Sequence, residues 1–440
     1  MRLQIAVLFI ALSPLISSAA DPAVGQRVFV KEGAEAKVGD MVVDRKLIPY
    51  IATVEAVDGD LLWLGRVWVR NSDVMSTQEA LDFYTEQIRQ EPAKASAWRR
   101  RAPVWYVTGD LDAALKDLNE AIRLDPKEPT GYVYRGNVLA DKGDLDRAIT
   151  DFSKAITLDP NDLKAHFNRA YAWAGKGDFD NAITDLTEAI RLDPKDASAH
   201  NARGTVWQRM GELDDALNDF TDAIRLDQKY ARAYSNRGAT WVKKDQSDNA
   251  IKDLTKAISL DPKDATAYGN RGAAWARKGE FDNAIKDLTD AIRLDPNDAM
   301  AFCNRGATWA KKNENAAALK DCKQAIRLDP KDAAAYSNIA WLKATCIDDR
   351  YRDGIVAVEY ATKACELTAS QDWYAVAALA AAYAETGNFT DAVKWAEKTI
   401  ELAPASDKIT VRHILKLYRE NTPCREPLKQ VVRIGELRVL

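Results

Sequence analysis

The sequence predicts a mainly α fold, a superhelical solenoid of antiparallel helical hairpins preceded by a small all-β barrel, and three observations carry that reading. Asp-Pro returns at Asp125-Pro126, Asp159-Pro160, Asp193-Pro194, Asp261-Pro262, Asp295-Pro296 and Asp329-Pro330, every interval being 34 residues or a multiple of it; one supersecondary unit has been copied in tandem. Small residues recur in step at Gly136, Ala170, Gly204, Gly238, Gly272, Gly306 and Ala340, and all but the last are followed twelve residues on by an alanine of the series from Ala148 to Ala318, so two helices can approach closely within the units. Ahead of the repeats, residues 26–75 change character to short runs of β-formers, the pattern of strands.

In chain order, Met1 to Ala20 carries a cation at Arg2, an apolar stretch from Leu3 to Ile16 and a small-residue end at Ser18-Ala19-Ala20, the layout of a secretory signal. Cleavage after Ala20 gives an exported mature chain, periplasmic or secreted, without a membrane span; an uncleaved anchor is the alternative. Residues 21–75 are assigned to the barrel, with strands over Arg27–Val30, Met41–Val43, Ile51–Val57, Leu61–Leu64 and Arg66–Arg70 and a tight hairpin at Asp58-Gly59. The run Gly59-Asp60-Leu61-Leu62-Trp63-Leu64, followed by Trp68-Val69 and Ser72-Asp73-Val74, resembles the last half of a bacterial Src homology 3-like domain. That resemblance implies binding of peptides or cell-wall polymer, and leaves Trp63 and Trp68 as either barrel core or ligand platform.

Each repeat then reads as two helices. Gly109, Gly143, Gly177, Gly211 and Gly279 stand where a first helix must end in the left-handed conformation, with Asn313 and the poorer Asp245 in the same column. The second helix shows an i, i+4, i+7, i+8 stripe in Ala284, Leu288, Ala291 and Ile292, and proline closes the unit because it cannot continue the helix. Tyr268, Arg271-Gly272, Trp275, Ala284, Leu288, Ala291 and Pro296 resemble the tetratricopeptide repeat pattern, with arginine in place of the leucine before the glycine. The implied division is a capping helix over 76–92, seven regular repeats over 93–330, two irregular ones over 331–404 with an insertion near Ile347–Asp353, and a capping helix and tail over 405–440.

Composition narrows function. Net charge is −4 with 29% charged residues of balanced sign, which offers no basic face for nucleic acid. No phosphate loop, metal motif or nucleophile elbow occurs, so the expectation is a binding scaffold with no catalysis, cofactor or metal. His166 and His200 occupy the column of Tyr132, Tyr234, Tyr268 and Phe302 and read as aromatic substitutes. The five cysteines are too irregular for a disulfide framework; Cys303 and Cys322 lie at matching heights in one hairpin, as a disulfide or as buried thiols used as small hydrophobes.

Two columns remain. Arg101, Arg135, Arg169, Arg203, Arg237, Arg271 and Arg305 match the heights of Asp117, Asp151, Asp185, Asp219, Asp253, Asp287 and Asp321, which predicts a ladder of exposed inter-helix ion pairs, each contributing about 0 to 1 kcal/mol. Asn168, Asn236, Asn270, Asn304 and Asn338 precede those arginines and share a stripe with small residues and with the cations Arg209, Lys243, Arg277 and Lys311. In the resembled family this stripe lines a groove. Asparagine both donates to and accepts from a peptide backbone, and the cations favour an acidic or carboxylate-ending segment; the other reading is that the asparagines bridge neighbouring repeats. A carboxylate clamp is incomplete, since Asn137 and Asn168 fit but Val133, Ser198 and Ala202 replace its cations. The tryptophans from Trp105 to Trp309 are assigned to packing, at about 3 to 5 kcal/mol for Trp275→Ala.

Overall fold

The computed structural model describes residues 24–31, 34–38, 41–42, 51–58, 60–64 and 67–425, in two compact units that divide between Lys195 and Asp196. The signal-like segment 1–20 and residues 426–440 of the tail lie outside the described residues.

The first unit begins with two small antiparallel sheets. Strand β1 (Arg27–Val30) lies between β4 (Ile51–Thr53) and β8 (Val74–Met75), while β2 (Ala36–Val38), β3 (Met41–Val42), β5 (Ala56–Asp58), β6 (Leu61–Trp63) and β7 (Trp68–Arg70) are ordered β3-β2-β7-β6-β5. The run 51–57, expected as one strand, is two. It leaves the first sheet at Val54, whose N–H donates to the Gln26 carbonyl at 2.9 Å, and joins the second at Glu55, whose N–H reaches the Trp63 carbonyl at 2.8 Å. Hairpin β5–β6 closes on the pair Asp58 and Leu61, as the Asp-Gly signal requires. Val28 and Val74 from one sheet pack with Leu62 and Val69 from the other in a single core.

That module is fused to the first helices. Helix α1 (Thr77–Gln90) starts in a capping box, with the Ser76 N–H donating to Glu79 Oε2 at 2.7 Å and the Glu79 N–H to Ser76 Oγ at 3.3 Å. Phe29 and Met75 of the sheet then pack with Tyr84 of α1 and with Val104 and Val107 of α2 (Ala95–Thr108). The hairpins of this unit pair α2 with α3 (Leu111–Leu124), α4 (Pro129–Asp141) with α5 (Leu145–Leu158) and α6 (Leu163–Lys176) with α7 (Phe179–Leu192).

The second unit continues the alternation: α8 (Ala197–Met210) with α9 (Leu213–Leu226), α10 (Ala231–Lys243) with α11 (Ser247–Leu260), α12 (Ala265–Arg277) with α13 (Phe281–Leu294), and α14 (Ala299–Lys311) with α15 (Asn315–Leu328). Helix α16 (Ala333–Thr345) is followed by the insertion, tied down by Arg352 Nη1 on the Cys346 and Ile347 carbonyls at 2.8 and 2.9 Å, and then by α17 (Gly354–Leu367). The last hairpin is α18 (Trp373–Glu385) and α19 (Phe389–Leu402), sealed by α20 (Lys408–Arg419) through Val411, Ile414, Leu415 and Tyr418.

The turns and contacts follow the columns. Asp245 and Asn313 take φ of 59° and 61° where the other repeats place left-handed glycine, the position that ends a helix. The small column is tight: a Cβ on Gly136 would stand 2.5 Å from the Phe152 ring, and one on Gly272 would stand 2.7 Å from Leu288 Cγ. Within the second unit each first helix touches the next first helix, from α8 through α18, whereas successive second helices make no contact of comparable extent. The first helices therefore form the closer-set layer of that unit.

Candidate peptide-binding face

The arginine ladder is present in all seven repeats, but it is not exposed. Arg Nε donates to Asp Oδ2 at 2.7–2.8 Å and Nη2 to Oδ1 at 2.6–2.9 Å in every pair from Arg101–Asp117 to Arg305–Asp321. The seven aspartates are only 2–5% exposed. This corrects the expected surface pairs to buried bidentate forks, which are strong because both hydrogen bonds are charge-assisted and planar. The guanidinium also reaches back one repeat: Nη1 of Arg135, Arg237, Arg271 and Arg305 donates to Asn119, Thr221, Thr255 and Thr289 at 2.8–3.1 Å. One guanidinium thus ties together three helices. The column aromatics lie under it, with the Arg271 guanidinium 5.6 Å from the Tyr268 ring centre.

The two histidines fill that aromatic column and add a polar contact. His166 Nδ1 lies 3.3 Å from Asp185 Oδ1 and Nε2 lies 3.1 Å from the Pro160 carbonyl, so both ring nitrogens face acceptors. The bond to Asp185 raises the imidazole above its ordinary range. Burial works to raise the Asp185 carboxyl, but the bonds from Arg169 and His166 overcome it and hold it below the usual range. A group whose pKa is raised on folding stabilises below its unfolded pKa, about 6.5, and loses that contribution as pH rises through the folded value. The stability difference between wild type and His166→Phe should therefore shrink from pH 5.5 to pH 8 in parallel denaturant titrations; a difference independent of pH would show that His166 stays neutral.

Metal chemistry finds no fit here. His200, Asp219 and Asp222 bring ligand atoms within 4.8 Å of one another, yet both Asp219 oxygens are held by Arg203 and Asp222 pairs with Arg225 at 3.0 Å. Two guanidinium charges already neutralise that set. Cys303 and Cys322 are buried thiols with no disulfide between them. Cys303 packs with Ala325 and Ala335, while Cys322 Sγ abuts Gly306; burial raises the Cys322 thiol well above its ordinary range.

The asparagines divide into two groups. Asn168 Nδ2 donates to Asn137 Oδ1 at 2.8 Å, Asn236 Nδ2 to Asn201 Oδ1 at 3.0 Å, and Asn338 Oδ1 accepts from the Tyr374 hydroxyl at 3.2 Å, each reaching an adjacent repeat. Asn270 and Asn304 are 1% and 5% exposed. Of the cations, Arg209 and Lys243 are exposed. Arg277 donates to the Val242 carbonyl at 2.5 Å and lies 3.6 Å from Asp245. Lys311 is 5% exposed, and burial pushes its ammonium down to about 8.

Two features were not foreseen. Lysines bridge repeats from the ends of the first helices, Lys142 to Asp112 at 2.8 Å and Lys278 to Asp248 at 2.5 Å, with Lys176, Lys244 and Lys312 paired to Asp146, Asp214 and Asp282. Charge is also segregated between layers: in the second unit α8, α10, α12, α14 and α16 contain no Asp or Glu, while the carboxylates stand on second helices and turns. Trp275 is half-buried against Ala273, Ala276 and Ala284, with Lys278 Nζ 5.9 Å from its ring centre. Its replacement by alanine should accordingly cost about 2 kcal/mol, below the range for a fully buried aromatic, in chemical denaturation of the full chain.

The comparisons with known proteins match this arrangement. Tetratricopeptide repeat models match residues 135–197, 175–231, 231–264, 265–298 and 375–403, and a TPR repeat model matches 106–143, together spanning just over half of the sequence. The chain belongs to the tetratricopeptide repeat family. Among solved structures, YrrB, described as a TPR protein with an unusual peptide-binding site, is 27% identical, covering 42% of this chain and 95% of that one with a TM-score of 0.35. MamA from Desulfovibrio magneticus RS-1 is 25% identical, covering 39% and 97% with a TM-score of 0.37. A thermophilic TPR protein of Thermus thermophilus is 22% identical, covering 41% and 99% with a TM-score of 0.35. Among curated proteins none matches. No helix among the described residues is long and apolar enough to cross a membrane.

Proposed function

We propose that the layer of first helices in the second unit binds an extended, acidic polypeptide segment, and that the protein is an exported scaffold without catalysis. The observation that carries this reading is the charge segregation: carboxylates are absent from the first helices α8, α10, α12, α14 and α16, so beyond the cations engaged in the ladder that layer presents the exposed Arg209, Arg232 and Lys243, with Arg277 and Lys343 half-buried and Lys311 buried beside them. Small side chains such as Ala239, Ala273 and Ala307 leave room for a backbone to approach. Asn168, Asn236 and Asn338 contribute mainly by holding neighbouring first helices in register, Asn270 and Asn304 lie buried beneath the layer's surface, and the exposed cations supply the attraction. A ligand carboxylate near Lys311 would favour its charged form.

The decisive measurement is fluorescence anisotropy with a labelled glutamate-rich peptide of about a dozen residues. Arg209→Glu with Lys243→Glu should weaken binding at least tenfold, leave thermal melting unchanged and remove most of the salt dependence. Binding unaltered by that double charge reversal would sink the reading. Export is part of the same proposal, with segment 1–20 removed as a secretory signal and the division at 75/76, 92/93, 330/331 and 404/405 separating barrel, cap, regular repeats, irregular repeats and C-terminal cap. N-terminal sequencing of the mature protein tests the cleavage after Ala20.

A second reading gives the β-module a ligand of its own, cell-wall polymer or peptide, with the two sheets forming a Src homology 3-like barrel that docks while the repeats position a partner. One observation favours it. Trp63 and Trp68 are cross-strand neighbours with ring centres 5.4 Å apart, directly opposite each other, and neither belongs to the core of Leu62, Leu64, Val67 and Val69. Trp63→Ala with Trp68→Ala should abolish co-sedimentation with cell-wall material while peptide capture by the repeats persists.

A further inference from the structure

The column that accepts the lysine bridges changes character on α17. Two residues before the column alanine, six second helices place Asp112, Asp146, Asp180, Asp214, Asp248 and Asp282, and five of these pair with a lysine at the end of the next first helix. The seventh regular repeat has Ala316 there and the last hairpin has Thr390. On α17 the residue is Ile355, 81% exposed, and at the end of α18 the place of the lysine is taken by Thr386. Ile347, in the insertion ahead of α17, is 65% exposed. A lone isoleucine at a surface means little. Here there are two, and one of them stands in a column that is otherwise polar or small.

The described residues stop beside this spot. Glu385, the last residue of α18, has Arg352 of the insertion on Oε1 at 3.2 Å and pairs with Arg425 through Oε2, and Arg425 also donates to the Ala344 carbonyl of α16 at 3.3 Å. The same Arg352 holds the Ile347 carbonyl at 2.9 Å. Gly354, next to Ile355, lies so close to the end of α18 that a Cβ on it would stand 2.9 Å from Thr386 Cγ2 and 3.2 Å from the Glu385 carbonyl carbon. Cys424 is buried in the last core. Arg425 is thereby fixed on the carboxylate that adjoins both isoleucine-bearing segments.

We propose that residues 426–440 turn back over the edge of α17 and cover Ile355 and Ile347, so that the chain supplies the apolar surface these two side chains lack. The sequence of that segment fits the occupancy, with Leu428, Val431, Val432 and Ile434 interleaved with Lys429 and Arg433. At up to about 3.3 Å per residue these apolar residues reach roughly 10 to 30 Å from Arg425, against about 10 Å for the width of a helix. Charge is complementary as well. Asp349, Asp353 and Glu359 are exposed around Ile355, opposite in sign to the cations of the segment. The cover lies on a second helix and the groove reading rests on first helices, so each can fail without the other.

Trypsin digestion of the native full chain reports the cover, because the segment carries its own cleavage sites at Lys429, Arg433 and Arg438. Ile347→Asp with Ile355→Asp should leave the far-ultraviolet spectrum unchanged and speed cleavage after Lys429 and Arg433 about tenfold, in proportion to the population of the open form. Both positions are exposed and aspartate is the usual residue of the column, so the variant keeps its fold. A second measurement needs no change in stability: p-benzoylphenylalanine in place of Ile355, irradiated in dilute solution, should crosslink to a peptide from residues 426–440 of the same chain. Equal cleavage rates in the two proteins, or crosslinks that miss residues 426–440, overturn the proposal. Crosslinks between two chains overturn it too, and identify the spot as a contact between copies.

Discussion

Arg271→Ala should destabilise the protein by about 3 kcal/mol, the low end of the cost of stranding a buried charge. The substitution leaves the Asp287 carboxylate, 4% exposed, without either of its bonds at 2.7 and 2.9 Å, and it also removes the bond to Thr255 in the preceding hairpin. Asp287→Ala should cost less, roughly 2 kcal/mol, because the guanidinium is 17% exposed and can recover water. That asymmetry separates a buried fork from a surface pair, in which both losses would be small and equal. Arg271→Lys should recover little, since an ammonium keeps the charge without the planar fork. Coupling below about 0.5 kcal/mol in the double-mutant cycle, read by chemical denaturation, would return the ladder to the status of a surface decoration.

How much of this was legible depends on what a stride can encode. The residues at equal heights in a hairpin can be paired by counting, so Arg271 and Asp287 were matched correctly. Their burial could not be counted, because it depends on Tyr268 lying under the guanidinium and on the preceding second helix closing over it. The lysine bridges, as Lys278 to Asp248, were missed because they join different repeats, and a column of lysines looks like any solvated face. Asparagine is ambiguous in principle: Asn236 would stand at the same place whether it met a peptide or, as found, Asn201 of the preceding repeat. In the β-module the missed strand Ala36–Val38 has only one residue to alternate against, and the break at Val54 leaves no mark in a continuous run of β-formers. The orientation of Trp63 was available in the sequence. Leu62 and Leu64 share one parity of the strand and Trp63 the other, so a core of leucine and valine puts the tryptophans on the opposite face.

Gly136→Val should cost about 3 kcal/mol or more, at the upper end of overpacking penalties, because its Cβ would stand 2.5 Å from Phe152 Cε1 and 2.9 Å from Cδ1 and Cζ. These are ring atoms of a residue 1% exposed, with no free end to swing aside. Phe152→Ala alone should also cost about 3 to 5 kcal/mol, through the cavity left between α4 and α5. In the double variant the valine enters the space that the ring vacates, so the two losses should add to much less than their sum, with at least about 2 kcal/mol of favourable coupling. The repeats themselves vary both partners at this crossing: alanine faces leucine at Ala102 with Leu118 and Ala170 with Leu186, glycine faces phenylalanine at Gly136 with Phe152 and Gly204 with Phe220, and glycine faces the smaller leucine at Gly238 with Leu254 and Gly272 with Leu288 and cysteine at Gly306 with Cys322. Since the summed volume is not held constant from repeat to repeat, the coupling in the double variant measures how far α4 and α5 can share the space at this one crossing, and strict additivity of the two losses would show instead that the glycine is needed for the backbone of α4 itself.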